Sequence, residues 1–400
     1  MENRDDSGRL EELVESLKPQ LNALVVCLSH SWGGLEQVAA NDSLDLGALG
    51  LNVKVLCLED TPIYDYLKNR SEVSLLPLGF EPRNYFDFKL RKKLHQLLDS
   101  GINLIHSHQT SLLGSIVPWV WSRPKIALLA TRHIMSDHYK KDFFHRAIYS
   151  RLDYLIVVSH MLRRNVLETH SIRERSVKVV NLGLDFEVFN PKNTDSTRQR
   201  SLWGADSDTV VIGLVGRIDP AKGQATFIRA AASVLMNQTK PEKVKFVIVG
   251  EETLGSESKH LEELQEMVTQ FRLEKHVIFT GYQENIPEIM KSFDLFVMPS
   301  RQEAFGLVAI EAMAMECPII ISSGGSSTEI VGQDEFGLTV RANDAFDLQS
   351  KLRYLLDHPE IRHQMGTRGR GHVVANYDKQ KRVAKSLNLY ERALRRRSAF

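Results

Sequence analysis

The chain has 400 residues, a length that allows two domains of ordinary size. Hydrophobic residues make up 42% and charged residues 25%, which is typical of a soluble globular protein. The formal net charge of +1 excludes a strong overall field for nucleic acid, so we expect no nucleic-acid partner. No apolar run approaches the length of a membrane-spanning helix.

Three cysteines, Cys27, Cys57 and Cys317, lie in or near apolar runs and form no CxxC pair. Such buried thiols are typical of proteins in reducing compartments. The first residues, 1–6, are polar and lack the apolar core of a signal peptide. We therefore expect a cytoplasmic protein, which could also lie peripherally on the inner face of the cell membrane.

Short apolar runs alternate with helix-like segments along the whole chain. The predicted strands are residues 24–29, 53–58, 104–106, 126–131, 154–159 and 178–182, and then 210–215, 245–250, 277–281, 295–299 and 319–322. Many are apolar throughout, as expected of parallel strands that are covered on both faces. The alternation predicts an α/β fold with two Rossmann-like, doubly wound parallel sheets.

The polar segment 190–201 separates the two series of strands and predicts a linker. The domains are therefore predicted at residues 1–190 and 191–379. Ligands of such sheets bind beyond the carboxyl ends of the strands, so we expect the two domains to face each other across a cleft.

A final helix is predicted at 378–397 because four apolar residues share one stripe of it, namely Val383, Leu387, Tyr390 and Leu394. It is long enough to return to the first domain, and we assign the segment of about 380–400 there.

Two features follow strands of the first domain. Gly33-Gly34 would let the backbone approach a ligand closely. Histidines follow as His106, His108 and His133, of which His133 ends a strand where the cleft is expected. The structural alternatives stay open, because double glycines also mark ordinary turns and a lone histidine is more often a packed or surface residue.

In the second half, the strand at 210–215 leads into Gly216-Arg217, with Lys222-Gly223 shortly after it. A guanidinium and an ammonium group at one strand end suit a diphosphate. The alternative is two solvated basic residues with Asp219 as a local partner. The spacing is not GxGxxG, so a dinucleotide redox cofactor is poorly supported.

Two carboxylates, Glu303 and Glu311, flank a glycine-containing turn. Glu311 lies in an apolar helix and shares a face with Leu307 and Met315, where an unpaired charge is costly. We expect ligand hydroxyls or a basic side chain to meet it. Glu303 either binds a ligand or completes a capping box with Ser300. The N–H groups at the start of this helix would form an anion site.

Metal sites are not predicted. Asp206-Ser-Asp208 resembles a metal-binding DxD pattern, but it precedes a strand and is interpreted as a solvated turn. The histidines have no HExxH or CxxC partner, so zinc is not expected. We expect neither a metal nor another cofactor.

Two stretches, 86–95 and 138–146, combine basic and aromatic residues. Such segments can lie on an anionic membrane surface. An ordinary amphipathic helix is the preferred interpretation of the first stretch. The second has adjacent aromatic residues, Phe143 and Phe144, and is a candidate acceptor-side or membrane-side surface.

Taken together, these segments resemble the retaining glycosyltransferase family 4, which has the GT-B fold, over nearly the whole chain. The most specific match is Glu303-x7-Glu311 with Phe305, Gly306 and Leu307 between the carboxylates. Other motifs stand in the family's order, namely Gly216-Arg217-x5-Gly223, Pro299-Ser300 and Gly324-Gly325-x3-Glu329. Four motifs in register are a specific signal.

The resemblance implies which residues would bind the phosphates of the donor. Arg217 and Lys222 would bind the diphosphate through their charges, and Gly34 would offer backbone N–H groups to it. Backbone amides of Phe305, Gly306 and Leu307 would contact sugar and phosphate.

The resemblance also implies the remaining contacts. Glu303 would bind hydroxyls of the donor sugar, Glu311 the ribose and Tyr282 the base, and His133 would lie beside the sugar. The predicted catalytic residues are therefore His133, Glu303, Arg217 and Lys222.

The implied enzyme is a retaining glycosyltransferase of the hexosyltransferase type. It would move a sugar from a nucleoside-diphosphate sugar to a glycan or lipid-linked acceptor in the synthesis of cell-surface polysaccharide or lipopolysaccharide, without a metal. The alternatives are a GT-B-like nucleotide-sugar epimerase and a non-catalytic homologue that only binds the nucleotide sugar. The motifs name neither the sugar nor the base.

The chain departs from the family pattern at Glu316, where glycine is usual. Because Glu316 lies beyond the ligand end of its helix, we expect little effect on the chemistry.

Overall fold

The computed structural model describes residues 6–82, 87–236, 241–252 and 259–399. The chain divides into two compact units. The first unit consists of Met1–Gly183 with Lys379–Phe400, and the second unit is Leu184–Asp378. The chain therefore passes from the first unit to the second after Gly183, before the predicted linker at 190–201.

Strands and helices alternate along both units. The strands of the first unit are β1 (Asn22–Cys27), β2 (Asn52–Leu58), β3 (Ser74–Leu78), β4 (Leu104–Ser107), β5 (Ala127–Arg132), β6 (Tyr154–Val157) and β7 (Val177–Val179). Its helices up to β7 are α1 (Asp6–Leu17), α2 (Gly34–Ala48), α3 (Pro62–Leu67), α4 (Phe88–Asp99), α5 (Leu113–Trp121), α6 (Phe143–Ser150) and α7 (His160–Thr169).

The second unit contains β8 (Val210–Val215), β9 (Val244–Val249), β10 (Val277–Phe279), β11 (Leu295–Met298), β12 (Ile319–Ser322) and β13 (Leu338–Val340), and α8 (Thr197–Leu202), α9 (Gln224–Leu235), α10 (His260–Gln270), α11 (Ile286–Lys291), α12 (Leu307–Ala314), α13 (Ser327–Val331), α14 (Ala345–Asp357) and α15 (Pro359–Asn376). The last helix, α16 (Lys379–Ser398), belongs to the first unit.

Each unit is built on one parallel sheet. Among the described residues the strand order is β3-β2-β1-β4-β5-β6-β7 in the first unit and β10-β9-β8-β11-β12-β13 in the second. The order reverses between β1 and β4 and between β8 and β11, the places where doubly wound sheets bind ligands. The predicted fold class, two Rossmann-like parallel sheets, is confirmed.

Two strands, β3 and β13, were not predicted from the sequence, and both lie at a sheet edge. β3 contains Pro77, which cannot donate a ladder hydrogen bond and is tolerated at an edge. Leu75 and Leu76 are only half-buried. β13 has only three residues. Edge strands carry a weaker apolar signal because fewer neighbours cover them.

The helix α16 docks on the first unit through the predicted stripe. Val383, Leu387, Tyr390 and Leu394 are all buried in the same core as β1 and β2. Arg397 adds an ion pair to the buried Asp153 at 2.9 Å. The stripe was therefore identified correctly from its spacing.

The predicted linker, 190–201, lies inside the second unit and is not a free connection. The backbone N–H of Leu184 donates to the carbonyl of Tyr377 at 2.8 Å, and Phe189 is buried. Arg200, on α8, forms an ion pair with Asp294 at 2.8 Å. Polar composition suggested a linker, but the side chains of Asn190 and Asp195 accept hydrogen bonds from nearby backbone N–H groups, and Arg200 forms the ion pair.

The three cysteines, Cys27, Cys57 and Cys317, are free and buried. Burial raises the pKa of the Cys57 thiol to about 12, which leaves it protonated and unreactive at neutral pH. Their predicted role as buried thiols is confirmed.

Candidate active site

Two loops of the second unit meet at the carboxyl ends of the neighbouring strands β8 and β11. Lys222 lies in the loop after β8, and its Nζ donates to Oε2 of Glu303, in the loop after β11, at 2.8 Å. The side chains are 29% and 21% exposed. A cation and a carboxylate that the sequence separates by 81 residues thus form one partly accessible pair.

Glycines let these loops approach each other. Gly223 has φ +78°, and a β-carbon there would collide with the carbonyl oxygen of Pro299. The N–H of Arg301 donates to the carbonyl of Ala221 at 2.7 Å, which ties the two loops together through their backbones. Only glycine combines this left-handed conformation with so close a contact.

The loop after β12 packs behind Glu303. Gly325 has φ +80°, and a β-carbon there would collide with the carbonyl oxygen of Glu303. Ser326 donates from its N–H to the same oxygen at 3.1 Å, and from its hydroxyl to the carbonyl of Phe305 at 2.7 Å. The Gly324-Gly325 motif therefore fixes the backbone that carries Glu303.

The capping interpretation of Glu303 is wrong. Helix α12 begins at Leu307 and takes Gly306, with φ +91°, as its N-cap. Ser300 is buried and lies well before the helix, so Ser300 and Glu303 cannot form a capping box. Instead of capping the helix, the carboxylate of Glu303 accepts a hydrogen bond from Lys222.

Glu311 is half-buried on α12 among apolar residues. Burial raises the pKa of its carboxyl group to about 7. No hydrogen-bond or ion-pair partner for Glu311 occurs within the described part of the chain, so the basic partner considered from the sequence is not found there. The carboxyl group retains its capacity to accept hydrogen bonds.

Arg217 and Tyr282 lie at the same carboxyl edge of the sheet. Arg217 follows β8 and is exposed, and its carbonyl accepts a hydrogen bond at 2.7 Å from Nε2 of the buried Gln224. Tyr282 follows β10, two strands away, and is 50% exposed. Gly281, with φ +68°, precedes it. Among the described residues, neither Arg217 nor Tyr282 forms a hydrogen bond or an ion pair with Glu311.

Phe305 is placed differently from the exposed site residues. Its side chain is buried and packs edge to face against Tyr377, with ring centroids 5.8 Å apart. Only the backbone of Phe305 can therefore serve a ligand, together with Gly306 and Leu307 at the start of α12.

The DxD segment forms a surface turn before β8. The carboxylate of Asp206 accepts hydrogen bonds from Thr209 Oγ1 at 2.6 Å and Lys243 Nζ at 2.6 Å. These partners account for the carboxylate without a ligand. Within the described ranges, no group of three or more His, Cys, Asp or Glu side chains is arranged so that it could hold a metal ion.

In the first unit, the double glycine leads into α2, which begins at Gly34 after β1. The buried carboxylate of Glu36 accepts hydrogen bonds from the N–H of Gly33 at 2.9 Å and the hydroxyl of Ser29 at 2.6 Å. A β-carbon on Gly34 would meet nothing within 4 Å. The start of α2 is therefore held by Glu36, while the surroundings of Gly34 stay open.

The three histidines form one cluster at the ends of β4 and β5. Nδ1 of His106 lies 2.7 Å from the hydroxyl of Tyr390, and its Nε2 lies 2.7 Å from Oγ1 of Thr131. Nδ1 of His108 lies 3.3 Å from Nε2 of His133. Burial lowers the pKa of both His106 and His133 to about 3, so these imidazoles are neutral near pH 7.

Sequence reasoning missed Thr131 and Tyr390 as members of this cluster. The spacing His106-x-His108 was a usable signal, because alternate residues of a strand point to one face. Tyr390 gave no such signal, since it lies 284 residues away on α16.

The two basic and aromatic stretches differ in structure. Of the first, Phe86 lies outside the described residues, and the remainder enters α4, which buries Leu90 and Leu94 and exposes 75% of Phe88. The first stretch therefore forms an ordinary amphipathic helix, as the sequence predicts.

The second stretch carries several exposed apolar side chains. Phe143 is 87%, Tyr139 69% and Phe144 44% exposed. The loop before it is fixed, because the side-chain amide of Asn165 bonds the backbone N–H and carbonyl of Ser136 at 2.8 and 3.0 Å. Across the part of the chain that the structure describes, no helix could cross a membrane.

Two protein-family models match the chain. The model of Glycosyltransferase Family 4 matches residues 32–188, and that of Glycosyl transferases group 1 matches residues 195–372. The two matches together span most of both units.

Relatives of known activity align over most of their length. The chain is 24% identical over 369 residues to the UDP-Gal:alpha-D-GlcNAc-diphosphoundecaprenol alpha-1,3-galactosyltransferase of Escherichia coli, covering 89% of this chain and 93% of that protein. It is 27% identical over 305 residues to the D-inositol 3-phosphate glycosyltransferase of Corynebacterium jeikeium (strain K411), covering 72% of each.

A solved structure shares the fold. Anabaena HepE in complex with UDP superimposes with a TM-score of 0.79 at 19% identity, over 95% of this chain and 100% of that one. The predicted GT-B class is thereby confirmed. With both sheets, the motif loops and the two matching models in agreement, the chain belongs to glycosyltransferase family 4 and is a glycosyltransferase.

Proposed function

We propose that the chain transfers a hexose from a UDP-hexose to a lipid-linked glycan acceptor, with retention of the anomeric configuration, in the synthesis of a cell-surface polysaccharide or lipopolysaccharide. The contact of Lys222 with Glu303 at the switch between β8 and β11 carries the proposal. The E. coli relative, named for UDP-Gal and a diphosphoundecaprenol acceptor, and HepE, which binds UDP, support the choice of donor and acceptor class.

The proposed chemistry rests on charge placed at the leaving group. As the sugar departs, negative charge grows on the diphosphate, and Lys222 and Arg217 stabilise it together with the N-terminus of α12. Glu303 orients Lys222 in the structure and, with the donor bound, accepts hydrogen bonds from sugar hydroxyls. The two cations serve the leaving group without a metal.

Glu311 is proposed to bind the ribose. Its carboxyl group has a pKa of about 7 and no described polar partner, so ribose hydroxyls that donate to it would favour the ionised form. Tyr282 is proposed to meet the base, Gly34 the phosphates and His133 the sugar.

The exposed aromatic residues support a membrane-side acceptor. Phe143, Phe144 and Tyr139 project from a fixed loop and helix beside Lys140 and Lys141. Aromatic and basic side chains together suit the interface of an anionic bilayer, where a lipid-linked acceptor resides. We propose that this surface makes a peripheral contact with the membrane.

The donor is tested by measuring thermal stability of the chain with UDP-, GDP- and ADP-sugars. A ligand at about one hundred times its dissociation constant should stabilise the protein by about 2.7 kcal/mol. We expect UDP-galactose or UDP-glucose to raise the melting temperature and GDP- and ADP-sugars to leave it unchanged. No shift with any UDP-sugar would contradict the proposed donor.

The reaction is tested with the same donor and a diphosphoprenyl-linked sugar as acceptor, in the presence of EDTA. We expect UDP release that requires the acceptor, and a product whose anomeric proton has the configuration of the donor. An inverted product would exclude retention, and activity lost in EDTA would exclude the metal-free route. Isomerised sugar formed from donor alone would favour an epimerase.

Membrane contact is tested by sedimentation with vesicles that contain phosphatidylglycerol. We expect Phe143→Ala to weaken binding and Phe88→Ala to leave it unchanged, because Phe88 is similarly exposed but lies on α4. Equal binding of the wild type to neutral and anionic vesicles would contradict the proposal.

A further inference from the structure

Three imidazole rings lie against one another in the first unit. The ring centroids of His106 and His108 are 4.4 Å apart, and those of His108 and His133 are 5.4 Å apart with an angle of 21° between planes. His106 is fixed on both nitrogens by Tyr390 and Thr131. His108 is therefore held between an anchored ring and His133.

His108 has an unusual set of polar contacts. It is 1% exposed, and its Nε2 is buried without a partner among the described residues. Its Nδ1 lies 3.3 Å from Nε2 of His133, which is the one side-chain hydrogen-bond partner of His108 among the residues that the structure describes. Buried polar side chains usually satisfy their nitrogens, so a ring with one contact calls for an explanation in that contact.

We propose that His108 is a positioning residue, which fixes the ring of His133 and sets its tautomer so that Nδ1 of His133 carries hydrogen toward the donor sugar. The inference rests on the proposed role of His133 at the sugar.

The tautomer follows from the unpartnered nitrogen. A neutral imidazole carries hydrogen on one nitrogen, so a single hydrogen lies between Nδ1 of His108 and Nε2 of His133. If His133 donated it, His108 would bury an N–H at Nε2 without an acceptor, which is rarer than an unpaired lone pair. His108 therefore donates from Nδ1, and His133 keeps its own hydrogen on Nδ1.

Binding of UDP-galactose and of UDP, measured separately by calorimetry, tests the assignment. We expect His108→Phe, which keeps a planar ring and removes both nitrogens, to weaken UDP-galactose about tenfold and UDP less than twofold. His108→Asn, whose amide can replace Nδ1, should restore part of the loss. The difference arises because only UDP-galactose carries the sugar that His133 would meet.

Tyr390→Phe is the control for damage to the core, since it removes one of the two hydrogen bonds that anchor His106, leaves the one to Thr131, and removes no atom of the contact between His108 and His133. We expect it to bind both ligands as the wild type does.

The inference is overturned if His108→Phe binds both ligands like the wild type, or if it loses UDP and UDP-galactose equally. If His108→Phe does not fold, His108→Asn takes its place in the comparison. We then expect His108→Asn to bind UDP-galactose more weakly than Tyr390→Phe does, and to bind UDP equally well. A wild type that binds neither UDP nor UDP-galactose would instead refute the proposed donor.

Discussion

The two units use the carboxyl edge of the same kind of sheet in opposite ways. In the first unit, burial keeps His106 and His108 neutral, and hydrogen bonds to Thr131 and Tyr390 satisfy both ring nitrogens of His106. In the second, Lys222 and Glu303 remain partly exposed and charged. The same kind of sheet edge therefore carries different polar clusters in the two units, and the degree of burial distinguishes the neutral imidazoles from the ion pair.

The largest expected effect on ligand binding comes from removing the charge of Lys222 in the second unit. Lys222→Ala should lower the affinity for UDP about 10- to 100-fold, because hydrogen bonds to charged groups contribute about 1.5–3 kcal/mol. Calorimetry with UDP measures it. Lys243→Ala is the matched control, since Lys243 also pairs with a carboxylate, Asp206, at 2.6 Å. Unchanged UDP binding in Lys222→Ala would contradict the phosphate assignment.

Acidification should change the stability of the two units in opposite directions. In the first, burial lowers the pKa of His106, His133 and His170 to about 3, so below pH 6.5 the unfolded chain takes up protons that the folded one does not. Moving from pH 7.5 to 5.5 should cost the first unit about 4 kcal/mol through these three groups.

The sign is reversed for the second unit. Burial raises the pKa of Glu311 from 4.5 to about 7, so on acidification the folded carboxyl takes up its proton before the unfolded one. The second unit should gain about 2 kcal/mol between pH 7.5 and 5.5. Hydrogen exchange resolved by unit, with intrinsic rates corrected, measures both changes. Glu311→Gln should abolish the gain, and a gain that persists in this variant would refute the assignment.

A smaller effect tests the glycine contacts that keep the charged site assembled. Gly325→Ala should destabilise the protein by about 2 kcal/mol, because alanine disfavours φ +80° and its β-carbon collides with the backbone of Glu303. Gly371→Ala, in the exposed interior of α15 with free space around it, should instead stabilise by about 0.5–1 kcal/mol. Urea unfolding measures both, and equal effects would contradict the argument.

The smallest effect concerns Glu316, the departure from the family pattern. It has φ +61° just after α12, where its N–H bonds the carbonyl of Met313 and that of Cys317 bonds Ala312. This arrangement is a Schellman motif, in which glycine is preferred. Glu316→Gly should raise the free energy of unfolding by about 0.5–1 kcal/mol, and Glu316→Ala should not. Urea unfolding that shows destabilisation by glycine would exclude strain at this position.

Several parts of the molecule could be predicted because their signals are local. Eleven of the strands appeared as apolar runs, and the stripe on α16 appeared as a helical spacing. The glycine motifs near Gly223 and Gly325 were visible as well. Each of these signals is carried by residues that are close in the chain and whose backbone or burial needs are similar in any context.

The residue pairs were decided by the tertiary structure. Ser300-x-x-Glu303 fits a capping box locally, yet the loop after β12 and Lys222 hold Glu303 elsewhere. The segment 190–201 is polar like a linker, yet Arg200 uses that polarity to bind Asp294. A local pattern states what a side chain can do, and the partner that arrives from a distant loop selects one of the options.

The amino-acid sequence by itself determined the parallel α/β architecture, the family and the positions of the charged and glycine-rich loops, because these depend on periodicity and backbone preference. Only the tertiary structure decided that Tyr390 anchors His106, that Lys222 meets Glu303 and that Glu311 has a raised pKa. Those properties arise from burial and from contacts between residues far apart in the chain. No short stretch of sequence determines its own burial or its distant partners.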